Sequence, residues 1–197
     1  MTRYASGLIV GRFDPPHLGH SLLISRAAET TDQTVVFVNS GPRDAVPGRL
    51  RAAWLAELHP EATVIEVVHE LPTDFGDEAL WQRWIELFRE RWPLPAGPDV
   101  VCSSDPYVAE LARRLGADAV VVDADRSAVP VSASMVRADP VAHLHHLAPP
   151  VRAWVEDNWL SSTRVRPAGG RSAGTAWGPS SRPDRSPSPP RRRRRRR

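Results

Sequence analysis

Residues 7–20 read Gly7-Leu8-Ile9-Val10-Gly11-Arg12-Phe13-Asp14-Pro15-Pro16-His17-Leu18-Gly19-His20, and this stretch decides the fold. Gly7 to Val10 is a short apolar run that fits a buried strand. Gly11 and the Pro15-Pro16 pair force a loop, and from Leu18 to Ala28 apolar residues recur at helical spacing. A strand therefore runs through a loop into a helix, with His17 and His20 at or just before the helix N-terminus. Unpaired backbone N–H groups and the positive end of the helix dipole make that place an anion site before any side chain is considered. The two histidines are three residues apart, so their rings can share one face, roughly 5–6 Å between Cβ atoms, and donate to one phosphate. A histidine pair can also ligate metal or pack in a core. Zinc would need further ligands. The single cysteine, Cys102, lies in an apolar strand-like run, and His143, His145 and His146 fall in a late segment of helical character. No metal held by protein side chains is expected.

Composition divides the 197-residue chain near Ser161. Residues 1–160 hold 14 arginines and 22 acidic residues, a balance of −8, whereas residues 161–197 hold 12 arginines and one aspartate, +11. The high isoelectric point, about 9.9, therefore belongs to the C-terminal part. That part is rich in Gly, Pro, Ser and Arg, ends in seven consecutive arginines and has no apolar period, so a disordered tail is expected after a domain spanning 1–160. An arginine run can bind nucleic acid or another polyanion by counterion release, and this is the one route to nucleic acid the sequence offers. No apolar stretch approaches 18 residues and no signal peptide is present, so a cytoplasmic protein without membrane association is expected; one cysteine excludes an intramolecular disulfide.

Within 1–160, strands are predicted near Ser6–Val10, Thr34–Asn39, Thr63–Val68, Val100–Ser103 and Ala119–Asp123. Helices are predicted over Gly19–Thr30, Gly48–Leu58, Asp77–Arg91, Pro106–Leu115 and Pro149–Trp159, with Gly116 as a C-cap. Such alternation gives an α/β fold, a Rossmann-like doubly wound parallel sheet with right-handed crossovers, here five strands in the order 3-2-1-4-5. Ligands bind such sheets at the carboxyl ends of the strands, where strand order reverses.

GRFDPPHLGH resembles the GxFxPxHxGH signature of the nucleotidyltransferase superfamily, whose members join a nucleoside monophosphate from ATP or CTP to a phosphate and release pyrophosphate. Val131-Ser132-Ala133-Ser134-Met135-Val136-Arg137 is similar to its second signature, ISxTxxR, which opens a late helix; valine replaces isoleucine and serine replaces threonine. Cys102 to Tyr107, Ala119 to Asp123 and the segment from His146 to Arg152 further resemble the nicotinamide mononucleotide (NMN) adenylyltransferase domain of the NadR type, over about residues 5–155. Proteins of that type usually carry a ribosylnicotinamide kinase domain as well. Its P-loop needs a lysine, and the chain has none, so that domain is not expected here; nor is an N-terminal DNA-binding region.

The resemblance implies AMP transfer from ATP to NMN, with Mg2+ accompanying ATP. His17, His20 and Arg137 are the expected catalytic residues, and Gly11, Arg12, Phe13, Gly19, Ser132 and Ser134 the expected ATP and phosphate contacts. Trp81 is either the ring that stacks on nicotinamide or, with Trp84 three residues on, one buried helix face. Asp105 either touches a ribose hydroxyl or caps the helix expected at Pro106. Asp14 is expected to shape the loop, and Arg43 and Arg51 to lie near the phosphate-accepting side. The rival acceptors are flavin mononucleotide, phosphopantetheine and a small alcohol phosphate. A weakly active nucleotide-binding module with a polyanion-binding tail is the rival class, and oligomeric state is not legible.

Overall fold

A computed structural model describes residues 3–74 and 76–161. The Arg-rich tail lies outside the described residues, Ser161 excepted.

Five strands alternate with helices: β1 (Tyr4–Gly11), α1 (Leu18–Thr30), β2 (Thr31–Ser40), α2 (Gly48–Leu58), β3 (Ala62–Val68), α3 (Glu78–Arg91), β4 (Val100–Ser103), α4 (Val108–Leu115) and β5 (Asp118–Val121). All pairings are parallel, in the order β3-β2-β1-β4-β5. The expected strand order is therefore the observed one. Continuous apolar runs, Leu8–Val10 in β1 and Val35–Val38 in β2, are buried because helices cover both faces of a parallel sheet. Strand alternation sorts these side chains. Leu8, Val10, Val35 and Phe37 pack with Trp81 and Phe88 of α3 and Leu111 of α4, while Ile9, Val36 and Val38 pack with Ile24 of α1 and Leu55 of α2.

Beyond the sheet come α5 (Ala133–Ala138), α6 (Pro140–His143), a 3₁₀ turn (Leu144–His146), α7 (Pro149–Val155) and a π-helical turn (Glu156–Leu160). Val131 and Val136, the first and sixth residues of the second signature, are buried with Trp54 of α2 and Val151 and Val155 of α7. That third core fixes α5 against α2 and α7. Gly116 closes α4 in the left-handed region at φ 76°, its N–H donating to Ala112 and Arg113, as the C-cap reading requires. The helix expected at Pro106 instead begins at Val108. Among the described residues no helix is long and apolar enough to cross a membrane.

Candidate active site

The carboxyl ends of β1 and β4, the two strands at which chain order reverses, open into a cavity of about 450 Å³. Gly11, Arg12 and Phe13 leave β1 along one wall, and His17, Gly19 and His20 continue it into α1. Ser132, Ser134 and Arg137 face them from the start of α5. Trp81 of α3 and Asp105 after β4 complete the set, so all the expected catalytic, phosphate and acceptor contacts line this one cavity, and only Arg43 and Arg51 do not.

The first loop is tightly determined. Phe13 is buried in the left-handed region at φ 53°, with its ring edge-on to His20 at 4.8 Å. A Cβ on Gly11 would stand 2.9 Å from that ring, which is why glycine ends β1. The Asp14 carboxylate accepts from the N–H groups of Ala45 and Val46, both at 2.9 Å, and so shapes the loop as expected. Arg51 does not lie on a phosphate-accepting surface. It is fully buried: Nε donates to the Val46 carbonyl at 2.8 Å, Nη1 to the carbonyls of Arg12 and Asn39, and Nη2 to Asp44. A guanidinium fork satisfies this set of acceptors where a surface role would leave it wet. Arg43 is exposed and outside the cavity lining.

His17 is the N-cap residue of α1 and His20 its third helical position. Their rings stack at 3.6 Å and 23°. His20 Nδ1 accepts the His17 backbone N–H at 3.2 Å, so neutral His20 carries its proton on Nε2. Burial, reinforced by the Arg126 and His146 charges, pushes His17 down to about 3; burial and then His17 and Arg126 hold His20 well below the ordinary histidine range. Both are neutral at physiological pH. They offer N–H donors, not cations, and the positive charge of the site comes from arginine. His17 Nδ1 is buried with no partner among the described residues.

Ser132 is the N-cap of α5: its Oγ accepts from the Met135 N–H at 3.2 Å and lies 2.9 Å from Ser134 Oγ. Arg137 reaches across the cavity, its Nη1 donating to the Asp14 carbonyl, which joins the two signature segments directly. Trp81 is buried in the α3-face core, with the Arg114 guanidinium 4.9 Å from its ring centroid, and also touches the cavity; the buried-face reading holds and the stacking reading is compatible with it. Asp105 does not cap α4 with its side chain. Tyr107 occupies the N-cap position, and the Asp105 carboxylate faces Arg126 at 3.5 Å.

Arg126, Asn39 and His69 also line the cavity and were missed by sequence reasoning. Arg126 sits at φ 51° in a turn organised by Asp123, at φ 49°, whose carboxylate accepts from Ala128 and Val129 N–H groups. No sequence signal marks it. Asn39 and His69 lie at the carboxyl ends of β2 and β3, where the strand-end rule directs attention to any polar residue. Among the described residues no three histidine, cysteine or acidic side chains gather as metal ligands, and the Asp14 carboxylate is committed to backbone N–H groups. Such a donor set fits a divalent cation carried on phosphates, with the protein supplying hydrogen-bond donors around it.

Residues 8–168 match the cytidylyltransferase-like family. Solved structures with the same fold include NadR protein in complex with NAD and AMP-PNP, at 22% identity, TM-score 0.54, over 74% of this chain and 45% of that one. Another is a bifunctional NMN adenylyltransferase/ADP ribose pyrophosphatase from Francisella tularensis, complexed with AMP and a manganese ion, at 12% identity, TM-score 0.56, over 82% and 52%. This chain thus spans about half the length of either neighbour. With the family match over most of the domain and both signature segments on one crevice, the chain belongs to the cytidylyltransferase-like family of nucleotidyltransferases.

Proposed function

We propose that the chain transfers AMP from ATP to nicotinamide mononucleotide, releasing pyrophosphate and forming NAD. One observation carries the reading: the His17–His20 pair, Arg137 and the N-termini of α1 and α5 converge on a cavity whose α3 side is aromatic. The neighbours bound to NAD and AMP-PNP, and to AMP, have the same fold and support it.

In this reaction a phosphate oxygen of NMN forms a bond to the α-phosphorus of ATP while the bond to the bridging pyrophosphate oxygen breaks. The attacking phosphate is already an anion, so no general base is required and catalysis rests on alignment and charge stabilisation. His17 and the His20 Nε2–H donate to the reacting phosphate. Arg137 leaves the Asp14 carbonyl for the β and γ groups with its planar fork, and Ser132, Ser134 and the α5 N-terminus hold the same end. Gly11, Arg12, Phe13 and Gly19 give the loop its close approach to the nucleotide, Asp105 accepts from a ribose hydroxyl, and Trp81 borders the acceptor ring. Mg2+, when bound, neutralises phosphate charge.

The test is pyrophosphate release by the purified chain with Mg2+ and ATP or CTP, offering NMN, flavin mononucleotide, phosphopantetheine and glycerol phosphate in turn. NAD formation that falls by orders of magnitude in His20→Ala is the expected result. Turnover with one of the other acceptors and none with NMN overturns the acceptor, and full activity in His20→Ala overturns the histidine role.

A further inference from the structure

The cavity has one polar feature that phosphate chemistry does not use. At its α3 side, Asn39 Oδ1 and His69 Nε2 are both buried and have no partner among the described residues. Such orphaned atoms are costly unless a ligand completes them. Strand register puts the two together. Asn39 pairs with Val67, so His69, two residues on, projects to the same face, and the His69 N–H donates to the Ser40 carbonyl at 3.0 Å. That is the face on which Phe37 and Val67 pack against α3. His69 Nδ1 accepts the Leu71 N–H at 3.2 Å, leaving the ring proton on Nε2. The compartment therefore presents one acceptor and one donor on the same face of the sheet end. Trp84 closes it, edge-on to His69 at 4.4 Å, and Trp81 lines it one helical turn before.

We infer that Asn39 and His69 set acceptor specificity by reading a neutral primary carboxamide on a flat cationic ring, the amide N–H donating to Asn39 Oδ1 and the amide oxygen accepting from His69 Nε2–H. The inference rests on the acceptor proposed above and adds to it a choice between the amidated nucleotide and its carboxylate counterpart. A cationic pyridinium is favoured beside the indole rings that border the compartment. A carboxylate in place of the amide sets its charge against the Asn39 oxygen. Sites built to satisfy a hydrogen-bonding group reject analogues that leave buried polar atoms unpaired far more strongly than sites of shape alone. An adenine edge also offers one donor and one acceptor, but it is neutral and lacks a cation's attraction to the indoles.

Steady-state kinetics of the whole chain with ATP and either NMN or nicotinic acid mononucleotide tests this, with Asn39→Leu and His69→Phe as variants and thermal unfolding to verify folding. Wild type is expected to prefer NMN in kcat/KM by about tenfold or more. Each variant is expected to lose most of that preference through a higher KM for NMN, with the KM for ATP unchanged; calorimetric binding of NMN without ATP should weaken in parallel. Equal use of the two acceptors by wild type overturns the inference and leaves the NMN reaction standing. A raised KM for ATP with NMN unaffected overturns it by giving the compartment to the nucleotide base. Failure of wild type to bind or use either mononucleotide removes both the inference and the acceptor.

Discussion

Replacing Arg51 with leucine tests how the loop that carries the histidines is held. The guanidinium is 0% exposed, and four acceptors depend on it: the carbonyls of Val46, Arg12 and Asn39, and the Asp44 carboxylate at 2.5 Å, itself 7% exposed. Leucine fills much of the volume and answers none of them. Removing one partner of a buried ion pair costs about 3–5 kcal/mol, because the remaining charge is stranded. Asp44 keeps one N–H, from Gly41 at 2.7 Å, which offsets part of the loss, while three unanswered carbonyls add to it. A net loss of about 3–5 kcal/mol is expected, equivalent to about 6–20 °C in Tm for a domain of this size. The Arg51→Leu, Asp44→Leu pair should recover part of the loss, since no charge is then left alone. Urea and thermal unfolding followed by circular dichroism measure the wild type, the two single variants and the double variant. A loss under about 1 kcal/mol in the single variant, or a double variant as unstable as the sum of its parts, would refute the view of Arg51 as the buried tie between the β1 and β2 loops.

Gly97→Ala separates stability from binding: φ is 95° and a Cβ would stand 2.3 Å from Ser6 Oγ, which donates to Asp99, all outside the cavity lining. A loss of about 1–3 kcal/mol with both KM values unchanged is expected, and a changed KM for either substrate contradicts it. His17 titrates near 6.5 unfolded and at about 3 folded, so between these values the unfolded state binds more protons and stability falls as pH is lowered. Between pH 7 and 5 this amounts to about 2 kcal/mol, and His17→Asn should flatten that part of the stability profile; an unchanged slope in the variant counts against the buried neutral ring. In kcat/KM for NMN, the acid limb should lie near pH 6, where the dianion of a phosphate monoester takes up a proton. His20→Asn should lower the plateau without moving the limb, and a limb that shifts by a pH unit in the variant makes the histidine the titrating group.

Much of the fold was legible because its signals are local. Apolar runs four or five residues long, separated by helical periods and closed by Gly116, specify strand, helix and cap from neighbours in the chain. The site was legible where loop and helix start share one short segment, as in GRFDPPHLGH and VSASMVR. Arg51 was misplaced because its role depends on three carbonyls that only the folded β1 and β2 loops bring together. Nothing near Arg51 in the sequence distinguishes it from a solvated helix arginine. Of the two readings of Asp105, the cap failed because its partner, Arg126, sits 21 residues on, in a turn with two left-handed residues that no glycine announces. Asn39 and His69 become a pair only through parallel strand register, a relation between β2 and β3 that sequence spacing does not encode.

The neutrality of the two imidazoles changes how the cavity must hold an anion. With neither ring charged, Arg12, Arg126 and Arg137 are the cations on its lining, within a domain whose overall balance is acidic. Two of the three rest on weak partners: Arg137 on a backbone carbonyl, and Arg126 on a half-exposed carboxylate 3.5 Å away. An exposed ion pair of that length is worth about 0–1 kcal/mol, and a charge-to-phosphate bond in a desolvated site is worth more. Both guanidinium groups can therefore transfer to an arriving polyphosphate at little cost, and Asp105, relieved of Arg126, becomes free to accept from a hydroxyl. Held in this way, the arginines are kept within reach of the histidine pair without being neutralised.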